Sequence, residues 1–159
     1  MGWPFPMESA HPMVVHFPLA LLTVGVGLDL LAMATRHESL RRVALWNVLL
    51  GVLSAGVAVL TGLRAEAVAK HSFEIHQIME LHERLGISTL ILGVIVAGWR
   101  LTTRDRLATR SRLFVILLSA AMLGTLSWGA HLGGRLVYEF GVGGTFGRQM
   151  TPDASPHQH

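Results

Sequence analysis

HPMVVHFPLALLTVGVGLDLLAMATRHESLRRVALWNVLLGVLSAGVAVLTGLR, residues 11–64, decides the fold. Both ends of this stretch are apolar and its centre is basic. Met13 to Ala34 carries one acid, Asp29, and Val43 to Leu63 is interrupted only by Asn47. A helix of about 20 apolar residues crosses the hydrocarbon core of a bilayer, so both runs can span it. The connector ATRHESLRR sets Arg36, Arg41 and Arg42 close to the two helix ends. Short arginine-rich loops stay on the cytoplasmic side of a membrane. The first run lacks a basic leader and opens on histidine and proline, so it is expected to be a retained helix and not a cleaved signal.

The pattern then recurs. Leu85 to Trp99 and Leu113 to Leu132 are apolar, and WRLTTRDRLATRSR between them carries Arg100, Arg104, Arg106, Arg110 and Arg112. The third run is short, but flanking turns add Ile75, Ile78, Met79, Leu81 and Leu101. The connector RAEAVAKHSFEIHQIMELHERLG, residues 64–86, holds good helix formers and no glycine before Gly86. The second and third helices are therefore expected to project beyond the bilayer and turn near His71 to Phe73.

The sequence thus predicts an all-α integral membrane four-helix bundle, up-down-up-down, with both termini periplasmic. Residues 1–12 form an N-terminal segment. The helices cover about 13–35, 41–71, 74–103 and 111–140, and residues 141–159 form a flexible tail. No sequence repeat stands out, although the topology is two helical hairpins in succession. The expected location is a bacterial inner membrane, crossed several times.

Composition agrees. The chain has 159 residues, 51% hydrophobic and only 14% charged, against roughly 25% charged in soluble domains. The net charge of +3 belongs to orienting loops and does not indicate nucleic acid. With no cysteine, disulfides, iron–sulfur clusters and covalent haem attachment are excluded.

Nine histidines are present, and threading gathers most of them at one face. His11 and His16 open the first helix, His71 ends the second, His76 and His82 begin the third, and His131 ends the fourth. His16, His82 and His131 share a depth near the bundle centre, with His11, His71 and His76 further out. An ionisable residue within a membrane is by default a functional hypothesis. A plainer reading is that each one wets a helix end.

Gly129 and Gly133 flank His131, and Gly86 lies one turn beyond His82. Small residues leave room for a flat ligand, but they are also the ordinary means of close helix packing in membranes. Helix two shows the same spacing at Gly51, Ala55, Ala58 and Gly62 with no histidine nearby in sequence. Arg64, Arg84 and Arg135 could meet haem propionates through their forked donors, or simply snorkel.

These residues suggest haem b held by two histidines from the pool His16, His82 and His131, with His71 and His76 as alternates. Such a protein would pass electrons to or from quinol or a partner redox protein. A Zn, Cu or Fe ion on His16, His82, His131 and His76, near Glu80 or Glu83, is the second reading. A cofactor-free subunit of a larger membrane complex is the third. No catalytic set is visible, so electron transfer is expected more than a stand-alone enzyme.

Asp29 lies near the cytoplasmic end and is expected to pair with Asn47 or a loop arginine. Trp46, Trp99, Trp128 and Tyr138 read as interface anchors, and Pro18 suits a first helical turn.

At HPMVVHFPLALL the chain resembles a bacterial membrane family catalogued as domain of unknown function 2231. HERLG and GAHLGGRLVYEFGVG resemble it too, so the likeness covers most of residues 10–144. It implies a four-helix inner-membrane protein with no assigned activity, and a link to redox proteins. His11, Pro12, His16, Phe17, Pro18, His82 and His131 are the matching positions.

Overall fold

The computed structural model describes residues 10–68, 73–103 and 109–142. All regular structure among them is helical: α1 (Ala10–Val14), α2 (His16–Thr35), α3 (Glu38–Val68), α4 (Phe73–Thr103) and α5 (Thr109–Tyr138). Four segments are long and apolar enough to cross a membrane: His11–Thr35, Glu38–Ala65, Phe73–Thr102 and Arg112–Tyr138. At 31 residues each, α3 and α4 measure about 45 Å, well beyond the roughly 30 Å hydrocarbon core. The turn expected near His71 and most of the tail lie outside the described residues.

A proline shapes the entry. Pro18 has no N–H, so the carbonyl four residues earlier loses its helical partner. The helix breaks at Val15, yet Val15 still donates to the His11 carbonyl at 3.1 Å and Leu19 to that of Val15 at 3.3 Å. α1 therefore continues roughly along α2 and carries His11 onto α3. At the other end Arg36 takes a left-handed conformation, φ 58°, which stops α2 and starts the turn into α3.

Packing is close and alternates large with small. Leu22, Val48, Val96 and Met122 are fully buried. Leu22 fills the space over Gly51, Val48 lies on Gly25, and Gly93 meets Val52 and Met122. Between α2 and α3, contacts pair higher numbers on one helix with lower numbers on the other. Thr89 and Thr125 join α4 to α5 through their hydroxyls at 2.9 Å. Each hydroxyl also lies within hydrogen-bond distance of a carbonyl of its own helix. Leu30, Leu53, Leu60, Ile91, Val94 and Leu117 are exposed on the outside, a surface suited to lipid and not to water.

Gly51 tests this packing. A Cβ there would stand 2.6 Å from Leu22 Cδ2 and 3.2 Å from the Leu22 backbone nitrogen. Overpacking of this kind costs about 1–3 kcal/mol, against a gain in helix propensity of about 1 kcal/mol. Gly51→Ala is therefore expected to lower the thermal midpoint in detergent. Gly56→Ala, where nothing lies within 4 Å, is expected to hold or raise it. Equal midpoints for the two variants would contradict the packing described.

The second helix pair repeats contacts of the first. Leu22 over Gly51 corresponds to Gly93 against Met122, with large and small exchanged. Both correspondences are shifts of 71 residues, the same separation that joins Asp29 to Arg100. Few identities survive at that spacing. Among them are His11 and His82, Arg41 and Arg112, Gly62 and Gly133, and Arg64 and Arg135.

Candidate functional site

The His11 ring lies on the face of α3 where a side chain is missing. A Cβ at Gly62 would come within 3.1 Å of its Cε1. From there Nδ1 reaches the Ala58 carbonyl at 2.9 Å and the Thr61 hydroxyl at 3.3 Å. His82, on α4, does the same against α5. Its ring covers Gly133, where a Cβ would meet Cε1 at 3.0 Å, and Nδ1 reaches the Gly129 carbonyl at 2.8 Å. Each histidine bonds a carbonyl 47 residues further along the chain.

These bonds fix the chemistry of both rings. A carbonyl can only accept, so Nδ1 carries the proton and donates it. In the neutral ring Nε2 then keeps its lone pair. This is the arrangement found around metal-ligating histidines, in which a backbone carbonyl holds the far nitrogen and sets the tautomer. The two ring centres are 6.0 Å apart and the rings stand edge to face at 84°.

Both rings border one cavity of about 680 Å³ between the four helices. Its walls are largely aliphatic, with Val15, Leu19, Val59, Leu63 and Leu126 prominent. Polar groups are few: His16, Glu83, Tyr138 and the Thr89–Thr125 pair besides the two imidazoles. Mostly apolar walls with a few placed polar groups are the usual character of small-molecule and cofactor sites.

The other expected site residues distribute unevenly. Gly86, Gly129 and Gly133 line the cavity, and exposed His16 stands on its border. His131 is exposed and leans on Trp128, ring centres 5.6 Å apart. It is not part of the cavity lining. His76 is exposed as well, and His71 lies outside the described residues. Arg64 is exposed. Arg84 pairs with Glu80 on its own helix. Arg135 pairs with Glu139 at 2.9 Å, and these hydrogen bonds hold the Glu139 carboxyl below the ordinary carboxylate range. Among the described residues no three His, Asp or Glu side chains form a group able to hold a metal ion.

The residue that sequence reading underrated is His11. It stands five positions before His16, one layer further out, and its partner surface on α3 had no histidine nearby in sequence. The signal was the spacing of 71 residues, which aligns His11 with His82 and Gly62 with Gly133.

At the opposite end Asp29 does find an arginine. Arg100 Nη2 donates to Asp29 Oδ1 at 2.9 Å and lies 3.4 Å from the Arg41 carbonyl. The Arg100 side chain is only 3% exposed. Asn47 instead donates to the Val43 carbonyl of its own helix.

The family model described as "Predicted membrane protein (DUF2231)" matches residues 8–145. No curated protein and no solved structure matches the chain.

Proposed function

Since the chain belongs to the predicted-membrane-protein family of domain of unknown function 2231, we propose that it is a b-type cytochrome whose haem is held by His11 and His82. The observation that carries this reading is the pair of imidazoles, each with its Nδ1 proton bound to a backbone carbonyl, facing one apolar cavity. Metal–imidazole bonds are about 2.0 Å long, so one metal atom between two such nitrogens accords with ring centres 6.0 Å apart. When bound, a bis-imidazole haem supplies one-electron transfer.

The chain's own residues hold, orient and shield. Ala58 and Gly129 carbonyls fix the ring tautomers. Gly62 and Gly133 let the rings lie against the neighbouring helices. The largely aliphatic walls favour a large apolar ligand. Arg64, and Arg84 and Arg135 on exchange of their partners Glu80 and Glu139, would offer guanidinium groups to propionates at this end. In this reading the helices thread up-down-up-down through a bacterial inner membrane, with the basic connectors cytoplasmic and the histidine end periplasmic. The electron partner is quinol or a second redox protein.

A lone Zn, Cu or Fe ion on the same nitrogens would need further ligands. Haem brings four of its own, so two histidines suffice, and this favours haem over the ion.

Purified protein, expressed with ample haem, is expected to show a Soret band, sharp bands on reduction and one haem per chain. A colourless protein holding stoichiometric zinc or copper would replace this reading with the metal ion. A colourless, metal-free protein that co-purifies with other membrane subunits would replace it with a structural role.

A further inference from the structure

The end remote from the histidines holds a second cavity, of about 380 Å³. Four arginines line it: Arg36 from the end of α2, Arg41 from α3, Arg100 from α4 and Arg112 from α5. Among the described residues Asp29 is the only acid in its wall. Arg100 is committed to Asp29, and Arg41 has Glu38 at 3.6 Å. Arg36 and Arg112 have no ion pair or hydrogen bond among the described residues. Two positive charges therefore remain without a counter-charge among the described residues. The rest of the wall, Ala32, Met33, Val115 and Ile116, is apolar.

We propose that this cavity binds a phosphate group, presented by the headgroup of an acidic phospholipid or as soluble inorganic phosphate. Three arguments converge. Two unmatched guanidinium groups suit the charge of a phosphate, and guanidinium forks fit its oxygens two at a time. A third guanidinium, Arg100, is already desolvated and held in place by Asp29, so little ordering is left for a ligand to impose. Mixed arginine and aliphatic walls match a ligand with an anionic head on an apolar base. Basic pockets between membrane helices are recurrent headgroup sites. Arg41 and Arg112 are equivalent positions in the two helix pairs, 71 residues apart, as are Asp29 and Arg100. The cavity is thus built from matching positions of both halves.

The test uses the full chain, delipidated in detergent and offered phosphatidylglycerol or phosphatidylcholine, with bound lipid counted by native mass spectrometry. Inorganic phosphate is titrated separately by calorimetry. Preferential retention of phosphatidylglycerol is expected, weakened about tenfold or more in Arg36→Gln/Arg112→Gln, given roughly 1 kcal/mol per basic residue near an anionic headgroup. If calorimetry shows phosphate binding that the same double variant abolishes, without lipid preference, the soluble anion is the source. Arg64→Gln/Arg135→Gln, at the histidine end, removes the same charge and is expected to change neither signal. The proposal is overturned if the wild-type chain prefers neither phosphate source, or if both double variants lose binding equally. Helical content by circular dichroism confirms that each variant is folded.

Discussion

His82→Ala is expected to reduce bound haem from one per chain to nearly none, with loss of the Soret band, and His11→Ala is expected to do the same. In the proposed site each substitution removes one of the two nitrogens that would hold the haem, and the other imidazole bordering the cavity among the described residues, His16, is exposed at its edge. His131→Ala is expected to leave the spectrum unchanged, because that ring is exposed and rests on Trp128 outside the cavity lining. Gly133→Ala provides an intermediate case. Its added methyl would sit 3.0 Å from His82 Cε1, so the ring must tilt and the absorption bands should shift or broaden without vanishing. Spectra of the four variants decide the assignment. If His131→Ala bleaches the protein while His11→Ala does not, the axial pair lies elsewhere.

The second large effect concerns the opposite end. Arg100→Leu leaves Asp29, itself mostly buried, facing a hydrophobic side chain. Breaking a buried pair from one side costs up to about 3–5 kcal/mol, because the Asp29 carboxylate loses its guanidinium partner in a low-dielectric interior. A steep fall in thermal stability in detergent is the expected outcome. Adding Asp29→Leu to make the double variant is expected to restore much of the loss, since replacing both members by apolar residues is often neutral. If the double variant is no more stable than Arg100→Leu alone, the charge pair is not what holds these helices together.

Most of the helical layout could be read from residues. Two apolar runs separated by arginines, then two more, point to four spans, because backbone polar groups in hydrocarbon must be satisfied within the helix. The candidate site was legible only in outline. Histidine placement along the chain predicts which end of the bundle is rich in imidazole, yet it does not say which face of a helix each ring occupies. His16 and His11 are five residues apart, a spacing that puts them on different faces of a continuing helix, and only His11 is on the face that meets α3. His131 occupies the same depth as the site but points away from it, a difference of helix rotation that no count of residues along the chain supplies. Gly129 and Gly133 flanked a histidine in sequence, and this invited an assignment to His131. In the structure they serve His82, one helix over. Asp29 was expected to pair with Asn47 or a loop arginine, and its partner is Arg100, which lies within the last turn of α4.

The recurrence of contacts at a fixed spacing has one more consequence. In a twofold dimer of identical chains, any residue beside the symmetry axis meets its own copy. Two such self-facing positions are occupied here, His11 with His82 at one end and Asp29 with Arg100 at the other. A dimer of identical half-length chains could provide the first pair but never the second, because carboxylate would oppose carboxylate or guanidinium would oppose guanidinium. Covalent fusion of the halves removes that constraint. It lets one station remain like-to-like, as a shared ligand demands, while the other becomes a pair of opposite sign that a homodimer has no means to encode.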